Sequence, residues 1–509
     1  MKHSTPVFYF VKPHPPDNIL NRESPVPENY KYDWEPLVLK YLVWACKKRF
    51  QDIDTRIWHL ISAEDDEKLL RDIRTTMPSA VFFTEIDILT NPVNLLAGKI
   101  KAIDAGIFIA VGGKQSSLLR KGDRMPFDYA DFVTGGDGIE PVIAIIQSCL
   151  NNSLPGKNLF VQWDKQTGRV TSNASNPQNS TIVQLPASFR SLQVENHSFG
   201  EYIALHQKQP SLAPETARTS PVIIGTGCPH SCSFCQAPLE FGDNNSSYLM
   251  RPAKTVAEEI LFLKNEWQVN NLFSLESNIN FRHLAAVYEE LENFGISHFP
   301  LSGFVRISDI NTAWENGMLR TLAKKGMRFL HTGIDLVLND DRDLYNKHNS
   351  YDEVIQCLKR CAECGIIIFA TYIGNPESTV DSFRRQLDLL MTMPIADVDI
   401  RLAIALRNTD YYRSVEPNLL YHPDKDNRYF DVQNYRYQTI QFPGCITPEE
   451  TYAGIKRFFD RFYSSPGHTA YTVEMMQKYP DTIDFFRAHY ASKNIALPDR
   501  KPVQHTAQE

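Results

Sequence analysis

Short β-like runs alternate with helical patterns in two separate stretches of the chain, and this alternation limits the possible folds more than any other feature. The first stretch fills residues 1–150 and includes strand-like runs such as Ala80–Thr84 and Ile107–Val111. The second stretch fills residues 219–406 and contains six strand-helix units. Strands that are joined by helices pair in parallel. We therefore predict an α/β protein with an N-terminal doubly wound (Rossmann-like) domain followed by a partial (β/α)6 TIM-type barrel.

Two further segments lack this alternation. Residues 151–218 are richer in Asn, Ser, Thr, Gln and Pro and show no sustained helical period, so we predict a linker there. Residues 407–509 carry many aromatic side chains and a helical pattern over Pro448–Tyr463, and we predict an α-rich cap that faces the substrate. A chain of 509 residues is long enough for roughly two to four domains, which agrees with this division.

Charge and hydropathy argue against several classes of partner. The formal net charge of −7 offers no general basic surface for a phosphate backbone, so we expect no nucleic-acid partner. The N-terminus lacks a basic stretch followed by a long apolar run, and no segment has about 18 consecutive apolar residues. We therefore expect a cytoplasmic protein without a membrane span. In that setting the nine cysteines are expected to be reduced thiols or metal ligands.

Three cysteines lie within eight residues on a loop that directly follows the first strand of the second stretch. Cys228, Cys232 and Cys235 stand in the run Gly-Thr-Gly-Cys-Pro-His-Ser-Cys-Ser-Phe-Cys. Thiolates are the usual ligands of iron–sulfur clusters, and three of them would leave one iron of a [4Fe–4S] cluster open. A zinc site would need a fourth ligand, for which His230 is the nearby candidate.

The same cysteine spacing occurs a second time, at Cys357, Cys361 and Cys364. These three residues lie within Tyr351–Gly365, where a helical period places them on one apolar face. A buried free cysteine behaves as a small hydrophobic residue. We therefore predict that this set packs in the core, and an auxiliary cluster is the alternative.

The Cys-x3-Cys-x2-Cys loop, with Phe234 before its last cysteine, resembles the signature loop of the radical S-adenosylmethionine (SAM) superfamily. Four later segments, in the expected order between Pro221 and Leu406, resemble other motifs of that superfamily. They are Arg251–Ile260, Glu276-Ser-Asn278, Gly333-Ile-Asp335 with Asp in place of the usual Glu, and Gly374–Thr379 with two of its six positions changed.

This resemblance implies a [4Fe–4S] cluster on the three loop cysteines, with SAM bound to the open iron. It also implies SAM contacts from Glu276, Asn278, Arg306 and Asp335. Independently of the resemblance, polar residues at the carboxyl ends of parallel strands gather around ligands. A surface or interstrand ion pair is the alternative role for Arg306, and a turn cap is the alternative for Asp335.

The first stretch has glycines directly after two strands, at Gly112-Gly113 and at Gly136-Asp137-Gly138. Glycine lets a ligand approach the backbone closely. The segment resembles the cobalamin-binding domain that precedes the cluster domain in one class of radical SAM enzymes. The resemblance implies that Gly112, Gly113, Gly136 and Gly138 contact a cobalamin.

The N-terminal segment departs from the cobalamin pattern in two places. Ile139 stands where the pattern has its second Glu, and no Asp-x-His-x-x-Gly segment supplies an axial histidine. The resemblance therefore implies a cobalamin whose dimethylbenzimidazole tail is displaced from cobalt without that histidine in its place. His14, between two prolines, is expected to be a surface or packing residue.

The resemblance as a whole implies an enzyme that cleaves SAM to a 5′-deoxyadenosyl radical and methylates an unactivated carbon with the help of cobalamin. A radical cyclisation or rearrangement without methyl transfer, or a non-catalytic iron–sulfur protein, remains as an alternative. The expected partners are a small-molecule or peptide substrate and an electron donor such as flavodoxin or ferredoxin. No catalytic side chain can be assigned from the sequence.

Overall fold

The computed structural model describes most of the chain, with gaps. The described residues are 5–14, 34–85, 89–136, 138–173, 184–207, 217–240, 248–335, 346–347, 349–431 and 438–498. Asp137, which the sequence places in a glycine turn, lies outside them.

The N-terminal part is a five-stranded parallel sheet in the order β2-β1-β3-β4-β5. Its strands are β1 Val7–Lys12, β2 Asp54–His59, β3 Ala80–Glu85, β4 Phe108–Gly113 and β5 Phe132–Thr134. The helices are α1 Leu37–Arg49, α2 Ala63–Thr76, α3 Thr90–Ile103, α4 Lys114–Leu118 and α5 Ile139–Asn151. Helices α1 and α5 pack on one face of the sheet, and α2 and α3 pack on the other. The predicted doubly wound fold is confirmed.

The strands of this sheet form where consecutive residues are apolar, so that both faces of each strand are apolar. In β1 the side chains Phe8, Tyr9, Phe10 and Val11 are all fully buried, with alternate residues in the two apolar clusters. Aromatic and β-branched side chains favour strands, and a strand covered by helices on both faces has no polar face. The helices begin at ordinary signals, as at Ser62, whose side chain accepts a hydrogen bond from the Asp65 amide.

The segment between the two predicted domains has short elements that pack against its neighbours. They are 3-10 turns at Lys157–Leu159 and Ala187–Ser191, a hairpin of β6 Gln162–Trp163 and β7 Val170–Ser172, and helix α6 Phe199–Gln207. Val161 and Val170 join one core of the N-terminal sheet, and Phe189 joins the other. The segment therefore contributes to packing as well as to connection, and the boundaries of the four predicted domains remain predictions.

The second part of the chain is a six-stranded parallel sheet in the order β15-β14-β13-β12-β11-β8, with helices on its outer face. Its strands are β8 Thr219–Val222, β11 Asn271–Ser274, β12 Leu301–Phe304, β13 Met327–Gly333, β14 Ile367–Gly374 and β15 Asp397–Leu402. Two further strands, β9 Gly225–Thr226 and β10 Leu249–Met250, form a separate small antiparallel pair. The helices are α7 Ala237–Glu240, α8 Ala253–Trp267, α9 Phe281–Asn293, α10 Ile307–Glu315, α11 Met318–Lys325, α12 Tyr351–Glu363 and α13 Val380–Leu390. Strands β8 and β15 are not paired with each other, so the predicted partial barrel is confirmed.

Helix α12 carries the second set of cysteines. Cys357 and Cys361 are completely buried in the core between the helices and the outer face of the barrel sheet, and Cys364 is partly buried. A hydrogen bond with Cys357, together with burial, raises the pKa of the Cys361 thiol well above its usual value. Cys357 and Cys361 therefore pack in the core, as the helical period predicts.

The region after β15 divides between the two edges of the barrel. It contains α14 Asp410–Val415, α15 Arg428–Asp431, α16 Pro448–Phe462, α17 Pro466–Lys478 and α18 Ile483–Ser492, with 3-10 turns at Glu416–Asn418 and Pro480–Thr482. Side chains of α14 pack on Ile373 and Ala403 at the carboxyl edge. Helices α17 and α18 instead cover Phe329 and Ile367, where β13 and β14 begin. The helical content predicted for this region is observed, and its substrate-facing role stays a prediction.

A buried ion network ties α1 to the start of the barrel. Arg190 donates to Glu35 at 2.5 Å and to Glu259 at 3.0 Å. Glu35 also pairs with Lys40 at 2.5 Å, and Glu259 pairs with Arg251 at 2.6 Å. None of the five side chains is more than 5% exposed. Buried charges are tolerated only when they are paired and hydrogen-bonded, so this network requires a fixed arrangement of the joined elements.

A second polar contact joins the N-terminal part to the region after the barrel. Asp424 accepts from Arg407 at 2.6 Å, from Arg169 at 2.9 Å and from the Arg124 amide at 3.2 Å. Asn408 donates to the Leu118 carbonyl at 2.7 Å. The two contacts join the N-terminal part to the start of the barrel and to the region that follows the barrel. Within the described residues, no helix combines the length and apolar content that crossing a membrane requires.

Candidate functional site

The loop with Cys228, Cys232 and Cys235 begins at the short antiparallel pair of β9 and β10 and ends at α7. A side chain at Gly225 would meet the Leu249 carbonyl oxygen at 2.7 Å, so the close approach of β10 requires glycine there. The Cys235 amide donates to the Cys232 carbonyl at 3.1 Å and closes a tight turn. The three thiols are partly buried, and burial raises the pKa of the Cys228 thiol.

Side chains and amides from other elements anchor this loop. The Tyr411 amide of α14 donates to the Ser233 carbonyl at 2.9 Å, and Asn346 donates to the Ser231 carbonyl at 3.1 Å. His230 Nε2 lies 2.9 Å from Asp309 Oδ2, in α10. This contact joins the cysteine loop to α10.

Asn278 connects the predicted site residues at the carboxyl edge of the barrel. Its amide nitrogen donates to Asp309 Oδ2 at 2.8 Å, and its Oδ1 accepts from the Arg306 amide at 3.0 Å. The Tyr248 hydroxyl donates to the Asn278 carbonyl at 2.7 Å. Burial of Asp309 works against ionisation, but the hydrogen bonds from His230 and Asn278 outweigh it and lower the pKa of Asp309. These contacts bring Asn278 and Arg306 next to the cysteine loop.

Glu276 has an unsatisfied carboxylate oxygen. The side chain is about 3% exposed, and Ser274 donates to its Oε1 at 2.7 Å, whereas its Oε2 has no hydrogen-bond partner. Burial raises the pKa of Glu276 to about 7. An unpaired buried carboxylate is unfavourable, so this site suits a ligand that brings a hydrogen-bond donor or a positive charge.

Asp335 and Arg306 both contact the segment at residues 346–347. Asp335 accepts from the Ile373 amide at 2.6 Å through one oxygen and forms an ion pair with Lys347 through the other. The Arg306 guanidinium donates to the carbonyls of Asn346 at 3.2 Å and Lys347 at 2.9 Å. Asp335 therefore links β13 to β14 and holds Lys347 over the Phe234 ring, at 5.3 Å, beside the cysteine loop.

In the part of the chain that the structure describes, no three His, Cys, Asp or Glu side chains converge on the position of a single metal ion. Each cysteine of a [4Fe–4S] cluster binds a different iron, so the ligands of a cluster do not converge in that way.

The N-terminal sheet has an apolar cavity at its carboxyl edge, on the face covered by α1 and α5. Its lining includes all four glycines of the sequence prediction, Gly112, Gly113, Gly136 and Gly138, with Leu42, Phe82, Ala110, Phe132, Thr134, Val142 and Phe160 among the other residues. Gly113 has a φ of +148°, and a side chain on it would collide with the Glu85 carbonyl oxygen. The backbone itself thus requires glycine at position 113, whatever binds in the cavity.

The carboxyl edges of the two sheets meet at a small apolar cluster. Leu118 of α4, which directly follows β4, packs with Ile404 and Leu406, which follow β15. Leu239 of α7, four residues after Cys235, packs against the same cluster. The apolar cavity and the cysteine loop are therefore at neighbouring edges.

Residues 222–390 match the family model described as the Radical SAM superfamily. The chain carries a radical SAM domain. The match covers the strands from Val222 to β14 and includes the cysteine loop with every barrel residue that the sequence predicts for the site. The match confirms the resemblance to the radical SAM superfamily for these residues.

Two solved structures share the fold over nearly the whole chain. The methyltransferase TsrM from Kitasatospora setae, a radical SAM enzyme solved with tryptophan and a SAM analogue, is 14% identical with a TM-score of 0.66 and matches over 96% of this chain and 99% of its own. OxsB, a cobalamin-dependent radical SAM enzyme, is 13% identical with a TM-score of 0.64 and matches over 96% of this chain and 71% of its own. This likeness extends the shared fold to the N-terminal sheet beyond the radical SAM domain.

A curated relative is similar over a smaller part. Bacteriochlorophyllide d C-8(2)-methyltransferase of Chlorobaculum tepidum is 21% identical over 188 residues, which are 36% of this chain and 41% of the relative. The aligned part is thus less than half of either protein.

Several residues that support the site were not predicted from the sequence. Tyr248, Asp309 and Lys347 hold the predicted residues in place, and Tyr411 anchors the cysteine loop through its amide. None of them stands in a recognisable motif. Asp309, Lys347 and Tyr411 lie in segments that follow β12, β13 and β15, and residues that follow barrel strands gather at the carboxyl edge. This is the one signal that the sequence offers for them.

Proposed function

We propose that the chain is a cobalamin-dependent radical SAM methyltransferase that acts on an unactivated carbon. The observation that carries the proposal is the contact of the two carboxyl edges at Leu118, Leu239 and Ile404. This contact sets the glycine-lined cavity next to the loop of Cys228, Cys232 and Cys235. A methyl carrier bound in the glycine-lined cavity and a radical generator bound at the cysteine loop could then act on the same substrate.

The chain's own residues suit these cofactors. The three loop thiols would hold the [4Fe–4S] cluster, and Glu276 Oε2 would accept a hydrogen bond from the SAM ammonium. Asn278, Arg306 and Asp335 would keep the surrounding backbone in place through the contacts described above. When bound, the cluster supplies the electron that cleaves SAM to a 5′-deoxyadenosyl radical, and cobalamin supplies the methyl group.

The cavity on the N-terminal sheet suits the flat, apolar tail of a cobalamin. Its walls are mostly carbon, from side chains such as Phe82, Phe132 and Val142, and its rim is formed by backbone at glycines. A ligand ring can lie against glycine backbone without meeting a side chain. This fits a cobalamin whose dimethylbenzimidazole is displaced from cobalt and inserted between the sheet and α5.

The test of the proposed function uses cluster-reconstituted protein with cobalamin, reduced flavodoxin and SAM that carries a labelled methyl group. We expect both 5′-deoxyadenosine and S-adenosylhomocysteine, with the label found on cobalamin, by liquid chromatography and mass spectrometry. Formation of 5′-deoxyadenosine alone would favour a radical cyclisation or rearrangement. Formation of neither product would favour a non-catalytic iron–sulfur protein and contradict the proposal.

The cavity gives a separate prediction about cobalamin binding. Protein expressed with ample cobalamin should retain the corrin through gel filtration, with a base-off absorption spectrum. Replacing Val142 by Phe, which adds volume inside the cavity, should lower retention at least roughly tenfold, because the ring would occupy the space of the tail. Val142→Ala at the same position enlarges the cavity and is the matched control that should keep the corrin.

Equal retention by Val142→Phe and Val142→Ala would show that the cavity does not hold the tail. Absence of corrin in the unaltered protein would remove cobalamin from the proposal. Gly113→Val cannot replace this test, because the added side chain would displace the Glu85 backbone and disturb the end of β3 directly.

A further inference from the structure

One carboxylate oxygen at the site takes part in two hydrogen bonds from different parts of the chain. Asp309 Oδ2 lies 2.9 Å from His230 Nε2 and accepts from the Asn278 amide nitrogen at 2.8 Å. His230 stands in the cysteine loop, midway between Cys228 and Cys232. Asn278 follows β11 at the carboxyl edge of the barrel. Asp309 therefore bridges the cysteine loop and the barrel edge.

The bridging group is a carboxylate near pH 7. Burial opposes its ionisation, but the hydrogen bonds from His230 and Asn278 outweigh burial and lower the pKa of Asp309. Asp309 also lies in the first turn of α10, where a helix favours negative charge. A carboxylate only accepts hydrogen bonds, so the hydrogen of the shorter bridge to the loop lies on His230 Nε2. The side chain is 31% exposed, so water screens its charge only in part.

The Asp309 charge acts on the first cysteine of the loop. Burial raises the pKa of the Cys228 thiol, a hydrogen bond from the His230 amide lowers it, and the negative charge of Asp309 raises it again. His230 thus contacts Cys228 through its amide, while its ring is held by Asp309. Nearby charge and hydrogen bonds to the sulfur ligands are among the factors that set the reduction potential of an iron–sulfur cluster. Both factors meet at this bridge.

We propose that Asp309 is a positioning residue that holds the cysteine loop against Asn278 and keeps the reduction potential of the cluster low. Reduction adds one electron to the cluster, so a carboxylate held near Cys228 disfavours the reduced form. A low potential makes the reduced cluster a stronger electron donor, which is what the cleavage of SAM requires. The inference deepens the proposed function and rests on it for the presence of the cluster.

The first test removes the charge and keeps the bridge. Both hydrogen bonds involve Oδ2, so the single amide oxygen of Asp309→Asn can accept both of them. The measurement is the midpoint potential of the reconstituted cluster without SAM, from a redox titration followed by electron paramagnetic resonance. We expect the ratio of reduced to oxidised cluster at a fixed potential to rise about tenfold, which is about 59 mV for a one-electron couple. Asp309→Glu keeps the charge and should keep the low potential.

Two controls assign the shift to this carboxylate. Glu315→Gln removes a carboxylate from the last turn of the same helix, about 9 Å farther along its axis, where the side chain is 69% exposed. The potential should not change in that variant, because water screens an exposed charge at that distance. His230→Gln keeps a side-chain donor toward Asp309 but has no ring that can carry a charge. Asp309→Asn should raise the potential by the same amount in the His230→Gln background.

A second variant tests the positioning role. Asp309→Ala removes both hydrogen bonds together with the charge, so Asn278 keeps only its contact with the Arg306 amide, at 3.0 Å. We expect this variant to raise the potential as Asp309→Asn does. In addition it should bind SAM about tenfold more weakly in calorimetry with the oxidised cluster, because Asn278 is no longer held beside the loop. Asp309→Asn should bind SAM within about threefold of the unaltered protein.

Several outcomes would overturn the inference. An unchanged potential in Asp309→Asn and Asp309→Ala would remove the electrostatic role, and an equal shift in Glu315→Gln would show a response to net charge in general. Loss of iron from Asp309→Asn would also contradict it, because the amide can keep the bridge. A methyltransferase whose potential ignores Asp309 would contradict this inference alone. A shifted potential in a protein that forms neither 5′-deoxyadenosine nor S-adenosylhomocysteine would contradict the proposed function alone.

Discussion

Protein in which Cys228, Cys232 and Cys235 are all replaced by Ala should lose the whole cluster after anaerobic reconstitution. Unaltered protein should contain about four irons per chain from one [4Fe–4S] cluster, and the triple variant should contain close to none. Thiolates provide the covalent attachment of such a cluster, and within this loop no other side chain can replace three of them. The measurement is iron and sulfide content together with the cluster's visible absorption.

The second cysteine set provides a matched control with the same spacing and the same number of substitutions. Replacing Cys357, Cys361 and Cys364 by Ala should leave the iron content unchanged, because the first two are buried in the core. The free energy of unfolding should instead fall by on the order of 1 kcal/mol per buried site, because packing is lost. A halved iron content in this control would establish an auxiliary cluster, and a full cluster in the first variant would refute the assignment of the loop.

Replacing Glu259 by Gln should destabilise the protein by about 3–5 kcal/mol, since it would leave two buried guanidinium groups with one carboxylate fewer. Glu259 pairs with both Arg190 and Arg251, at 3.0 Å and 2.6 Å, and none of the three side chains is exposed. The expected result is a lower midpoint in denaturant unfolding, followed by tryptophan fluorescence. The substitution preserves shape, so the loss would be due to charge and hydrogen bonding.

Glu258, the adjacent residue on α8, is exposed and makes Glu258→Gln the control. That variant should change the midpoint little, because isolated surface charges contribute less than about 1 kcal/mol. If both variants unfold at the same denaturant concentration, the network does not stabilise the protein.

The sequence by itself determined the type of each sheet and the position of the cysteine loop. Buried parallel strands such as β1 and β3 can be recognised because each is a short continuous apolar run. The loop at Cys228 can be recognised because three thiols lie within eight residues. The same local argument separated the two cysteine sets, since a helical period at Cys357 places these residues on a core-facing side. These are properties of neighbouring residues, so no tertiary contact is needed to infer them.

The tertiary structure alone decided which distant residues meet. Arg190 lies in a segment without periodicity, and its partners Glu35 and Glu259 are 155 and 69 positions away. The contact of Leu118 with Ile404, and the placement of α17 and α18 at the amino edge of the barrel, likewise depend on how whole elements pack. Such pairings form because many apolar side chains are buried at the same time and every buried charge needs a partner. Both conditions apply to the complete fold, so they leave no local pattern in the sequence.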